Sequence, residues 1–306
     1  MYTATILLLA GTLLSSKPLA ARSADDPADY VKQARRLAAE GQRDEALALY
    51  RKALAVQPDM YEAHLGAGFV LDLQLRFADA RKHLSRALEL ATDDSRVQAL
   101  NALAVSYAFE GPAKESAAFY QQAFDRQMND DNFAAAAGTA NALGRVYLES
   151  GDVANAKRWY QTGYETARRQ PDEPGAQLAL WEFRWLHAQG RIAARAGQLD
   201  DARAKVTAAR ALVDSTPQLK EELPTWQYMA GYVELSAKNY AKAIELLQAA
   251  DSEDPFVLSL LARALDGAGQ RARADETWQA VLESNGHSLQ NAFARPLAMQ
   301  RLGRKG

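Results

Sequence analysis

NALGRVYLESGDVANAKRWYQTGY, residues 141–164, reads as two amphipathic helices hinged at Gly151. On the second of them Ala156, Tyr160 and Gly163 follow one another at spacings of four and three. Such spacing puts all three on one side of a helix. The small residues at either end let a neighbouring helix approach closely. On the first helix Leu143, Gly144 and Tyr147 form the matching face.

The same arrangement recurs on both sides. Pro27 to Pro58 holds a helix around Tyr30 to Ala39, a turn at Gly41 and a second helix carrying Ala46, Tyr50 and Ala53. Then come Gly68 and Leu71 with Ala80, Leu84 and Ala87, followed by Leu103, Ala104 and Tyr107 with Gly111, Ser116, Tyr120 and Ala123. After the 141–164 copy come Gly190, Gly197, Ala202, Val206 and Ala209; Gly231, Asn239, Ala243, Leu247 and Ala250; and Leu261, Ala262, Leu265, Gly269, Ala274, Trp278 and Val281. About seven copies follow one another, and a unit repeated at such periods stacks on its neighbours to build a continuous core.

These residues resemble the tetratricopeptide repeat family over roughly residues 27–284. Tyr30, Tyr50, Pro58, Gly68, Tyr107, Tyr120, Leu143, Gly144, Tyr147, Tyr160 and Pro255 match its pattern, whereas Leu75 and Lys238 stand where a turn glycine is usual. The period also departs from the family's roughly 34 residues. Turn glycines at 111, 151 and 197 lie 40 and 46 residues apart, so the central repeats, about 130–235, are enlarged. The resemblance implies an all-α, right-handed solenoid that binds proteins. The expected organisation is a signal peptide over 1–24, the repeat array over 25–286, and a C-terminal capping helix and tail over 287–306.

The composition agrees with an all-α chain. Of 306 residues, 36 are basic and 38 acidic, giving a net charge of −2 with the two signs interspersed. No basic patch or tail of the kind that binds phosphate backbones is present, so nucleic acid is not an expected partner. There is no cysteine, which excludes thiol nucleophiles, thiolate metal sites and a lipoprotein anchor. The apolar run from Ile6 to Leu14, followed by Lys17, Pro18 and small residues from Ala20 to Ala24, reads as a cleavable signal peptide, though no basic residue precedes it. It is about half the ~20 residues that span a bilayer. A periplasmic or secreted location is expected, with no integral membrane span. The alternative is an apolar tail or a misplaced start.

Catalytic signatures are missing. His64, His83, His187 and His287 are expected in separate repeats, and no pair of them has helical metal-site spacing. The run Asn129 to Asn132 lacks the glycine and distal glutamate of a calcium loop and reads as a polar connection ending in a helix cap. No cofactor is implied, and no enzymatic activity is expected.

Function should then lie in the concave groove lined by the first helices of the pairs. Counting from each small residue, the groove positions include Arg35, Asn101, Asn141, Arg145, His187, Arg191, Tyr228 and Arg263. Asn both donates to and accepts from an extended backbone, and Arg grips a carboxylate with two parallel bonds. A protein or peptide segment is the expected ligand. Alternatively these are ordinary solvated positions, and the chain is a structural subunit of a cell-envelope assembly that contacts its neighbours by the convex or terminal surface. Trp181, Trp185 and Trp226 lie off the motif and are expected to fill space between long helices.

Overall fold

The computed structural model describes residues 26–111, 113–169 and 175–304. The expected signal peptide lies outside them. Within them the chain forms fifteen α-helices, fourteen of which pair in sequence. The pairs are α1 (Pro27–Ala39) with α2 (Arg43–Val56), α3 (Tyr61–Leu73) with α4 (Phe77–Leu90), and α5 (Asp93–Glu110) with α6 (Ala113–Asn129). Then follow α7 (Phe133–Ser150) with α8 (Val153–Ala167), and α9 (Gly175–Arg195) with α10 (Leu199–Ser215). After a 3-10 turn at Pro217–Glu222 come α11 (Leu223–Ser236) with α12 (Tyr240–Gln248), and α13 (Pro255–Gly267) with α14 (Arg271–Glu283). A single helix, α15 (Leu289–Arg301), ends the fold.

Short polar signals set the helix ends. Asp26 accepts from the Ala28 amide at 2.9 Å just ahead of Pro27, and Asp254 accepts from the Phe256 amide at 2.7 Å just ahead of Pro255. Each carboxylate satisfies an amide that the first turn leaves orphaned, while the proline has none to lose. Asn132 caps α7 in the same way, as the polar run there predicts. Between the helices of a pair the chain turns through one left-handed residue. Gly41, Gly111, Gly151, Gly197 and Gly269 hold φ between +76° and +100°, and Leu75 and Lys238, the two departures from the glycine pattern, both sit at +60°. The closing bond recurs as well: Asp152 N–H donates to Tyr147 O, Gln198 to Ala193 and Asn239 to Glu234, each at 2.9 Å. These six-residue bonds return the orphan carbonyls of the helix end to use.

Packing follows the repeated small residues. Ala46, Ala53, Ala80, Ala87, Ala156, Ala202, Ala243 and Ala274 are wholly buried, and Tyr50 and Tyr160 lie beside them. At Gly144 a β-carbon would stand 2.7 Å from the Tyr160 ring, so only glycine allows α8 to lie this close to α7. The enlargement of the centre is carried by the first helices: α9 has 21 residues where α1 and α3 have 13. Trp181 is buried beside Ala137 and Ala167, and Trp226 donates to Val206 O at 2.9 Å.

The two ends of the array meet. Arg43 donates to Leu282 O and to the Asn285 side chain, while Asn285 Nδ2 donates to Ala39 O at 3.1 Å, 246 positions away. The expected capping helix does more than cover the last pair. Helix α15 packs on α13 and α14 and, on its other side, on α5, with a smaller contact to α7. Arg295 donates to Leu73 O at 2.7 Å and to Leu282 O at 3.0 Å, tying the end of α3 to the end of α14. Ahead of the helix, the His287 ring stacks on Phe69 at 4.2 Å and shares a 2.8 Å hydrogen bond with Asp72. The inner face of the coil is therefore occupied at its centre by the chain's own last helix.

Candidate functional site

Two cavities remain on that inner face, on either side of a buried knot of polar groups. The knot is centred on Arg191, which is 4 % exposed. Arg191 Nη1 donates to Tyr228 Oη at 3.0 Å and Nη2 to Tyr160 Oη at 2.8 Å, and Glu149 is the nearest carboxylate at 4.0 Å. The tyrosines come from α8 and α11, so residues of three repeats meet on one guanidinium. Burial raises the pKa of both phenols, against the lowering pull of Arg191 and Arg145, so they remain neutral acceptors. Here the structure corrects the sequence reading. Arg191, His187 and Tyr228 were expected as solvated groove residues, yet all three are buried, because long α9 turns His187 and Arg191 into the seam between α8 and α11, where Tyr228 of α11 meets them. His187 stands edge-on to Tyr228 at 5.0 Å. Burial first, and then the charges of Arg191 and Arg145, push its pKa well below the ordinary histidine value.

The smaller cavity, about 440 Å³, is lined by Asn141, Arg145, Tyr120, Tyr160, Arg184, His187 and Arg191, with Ser288 to Gln290 at the start of α15 closing one side. Four of the eight groove residues named from the sequence meet there. Arg145 is half-buried and its guanidinium lies over the Phe256 ring at 4.5 Å. Asn141 packs towards α8, where a β-carbon on Gly163 would stand 2.6 Å from its Oδ1.

The larger cavity, about 870 Å³, lies where the C-terminal ends of α5, α7 and α9 face the second half of α15. Phe109, Phe256, Phe293, Pro296 and Leu297 make it apolar, and Arg195, Arg263 and Arg301 place positive charge in its lining beside Glu110 and Glu149. Of the eight groove residues named above only Arg263 lies here. Leu297 is 43 % exposed and is continuous with the apolar lining made by Phe109, Phe256, Phe293 and Pro296, and an exposed apolar patch of this kind marks a binding surface. Sequence reasoning missed Phe293 and Leu297. Their spacing of four on a helix was visible, but nothing local says that this helix returns to the inner face.

The remaining two candidates stand apart. Arg35 lines a shallow recess with Tyr61 and Ser95, away from both cavities. Asn101 lines neither, and its Oδ1 is buried without a hydrogen-bond partner. The histidines also need a correction, since His64 and His83 fall in one pair, α3 with α4, and their Nδ1 atoms are 3.0 Å apart. Among the described residues no group of three or more potential metal ligands forms, and no helix is long and apolar enough to cross a membrane.

Comparison with known proteins agrees with this architecture. Tetratricopeptide repeat family models match residues 37–104 and 187–257. No curated protein matches the chain. A tetratricopeptide repeat protein from Parabacteroides merdae is similar in structure, with a TM-score of 0.54 at 11% identity over 89% of this chain and 98% of that one. The apo form of RapI is similar too, with a TM-score of 0.54 at 13% identity over 84% of this chain and 96% of that one. With seven helix pairs, left-handed turns between their helices and small residues buried at the crossings, the chain is a helical solenoid that carries tetratricopeptide repeats at residues 37–104 and 187–257.

Proposed function

We propose that this chain is an exported, non-enzymatic interaction scaffold that binds a protein or peptide segment on its inner face. The family supports protein binding as the class of activity. Export rests on the apolar run from Ile6 to Leu14 and the small residues after it. The observation that carries inner-face binding is the larger cavity, an apolar hollow containing the exposed Leu297. A segment with an apolar anchor and acidic flanks fits that lining: the anchor is buried among Phe109, Phe256 and Phe293, and the flanks meet Arg195 and Arg263, Arg301 being already paired with Asp266 and Asp275. Arg35 and Asn101 fall outside this binding region.

One observation favours a second reading. Helix α15 already holds the centre of the inner face, which leaves the convex surface as the long uninterrupted one. A subunit of a cell-envelope assembly would use that surface. Affinity capture from envelope extract with the wild type and Leu297→Asp separates the two, followed by binding measurements with synthetic peptides from whatever is retained. A partner lost with Leu297→Asp supports inner-face capture. A partner held equally by both proteins overturns it in favour of the assembly subunit.

A further inference from the structure

We propose that the smaller cavity is a separate binding site for a small oxyanion, a free carboxylate- or phosphate-bearing molecule held by Arg145, Arg184 and Arg191. The first ground is charge. Three guanidinium groups line one cavity of about 440 Å³ whose lining holds no carboxylate; Glu149, 4.0 Å from Arg191, lines the neighbouring cavity, and Glu222 acts on Arg184 through its charge from outside the lining. Arg191 is buried, Arg145 half-buried and Arg184 exposed, and an anion placed among these like charges offsets their mutual repulsion.

The second ground is the state of the donors. The flat face of Arg145 is covered by Phe256, and that of Arg184 by Trp181 at 4.8 Å. Their hydrogen-bonding edges are left to point elsewhere. On Arg145, Nε and Nη2 are both buried with no partner. Those two atoms form one edge of the guanidinium, the pair of parallel donors that a carboxylate or phosphate accepts bidentately. Nε2 of buried His187 and Nε of Arg191 are likewise without partners. Orphaned buried polar atoms gathered in one place are rare in folded proteins and call for an explanation, which a ligand supplies.

Helix α15 adds a third contribution. Its start, Ser288 to Gln290, lines the same cavity, so the positive end of a 13-residue helix faces the arginines. An anion between them turns that opposition into attraction. The volume suits a small molecule.

The test is calorimetric titration of the full chain with inorganic phosphate, pyrophosphate, succinate and citrate at constant ionic strength, with potassium chloride as reference. One-to-one saturable binding of at least one anion is expected. Binding of only phosphate and pyrophosphate, or only succinate and citrate, supports the proposal and names the headgroup. Arg145→Met and Arg184→Met, both checked for unchanged helicity, should each weaken binding at least tenfold. The proposal is overturned if no anion saturates by about 10 mM, a very weak affinity. Equal binding by wild type and both variants also overturns it, as does binding confined to peptides while the free anions are inert.

Discussion

Asp72 and His287, 215 positions apart, are joined by a 2.8 Å hydrogen bond with both side chains shut away from solvent. Ser106 donates to the other Asp72 oxygen at 2.9 Å, so residues of α3, α5 and the approach to α15 share one carboxyl group. His287→Ala removes a partner from a fully buried acceptor and uncovers the Phe69 ring. The expected cost is about 2–3 kcal/mol, read as a lower urea midpoint. Amide exchange should accelerate across 289–301 before it does so in α7 or α8. Uniform exchange in the variant would show that this bond does not hold α15.

The close approach of α7 and α8 predicts a second result. A methyl group at Gly144 meets the Tyr160 ring, and a larger side chain at wholly buried Ala156 meets the neighbouring helices. Gly144→Ala and Ala156→Leu should each destabilise by about 1–3 kcal/mol. Gly138→Ala, in the same helix but with open space around the new β-carbon, should be neutral or stabilising. Unfolding free energies of the three variants check the register directly.

Lys238 pays a conformational cost at φ +60° and is exposed. Lys238→Gly should raise stability by about 1 kcal/mol, because the left-handed conformation is costly for side chains and free for glycine. Gly151→Ala, at φ +91°, should lower it by a similar amount. If thermal melts moved the same way for both, the turn assignment would fail.

His187 gives a pH dependence with a fixed sign. Its folded pKa lies well below 6.5, driven down by burial, then by Arg191 and Arg145. Below pH 6.5 the unfolded chain takes up a proton that the folded chain refuses, so folding stability falls with falling pH until the folded pKa is reached. The slope from this site is at most about 1.4 kcal/mol per pH unit. His83, also lowered first by burial, contributes in the same direction. His187→Phe should flatten the dependence between pH 6.5 and 5; an unchanged slope would rule His187 out as its source.

The helix pairs were legible because each is specified locally. Ala46, Tyr50 and Ala53 announce a buried face by spacing alone, and even Leu75 and Lys238 could be recognised as turn residues from their place in the repeat. The inner face was not legible to the same degree. Period 3.6 says which side of α9 carries His187 and Arg191, but not that Tyr160 and Tyr228 converge there and exclude water. The same limit hid Leu297. Its environment depends on α15 reaching α5, a contact between segments nearly two hundred residues apart that has no signature in either one. The His64 and His83 contact was missed for a simpler reason, since they lie on the two helices of one pair and not on one helix.

A chain of repeats that touch only their neighbours can unzip from either terminus, one unit at a time. The Arg43 and Asn285 contacts, with Arg295 fastened to Leu73, join the first and last pairs of the described array. Fraying of the first pair must break bonds to the last, so the two ends are coupled to each other as the ends of an open stack of repeats are not.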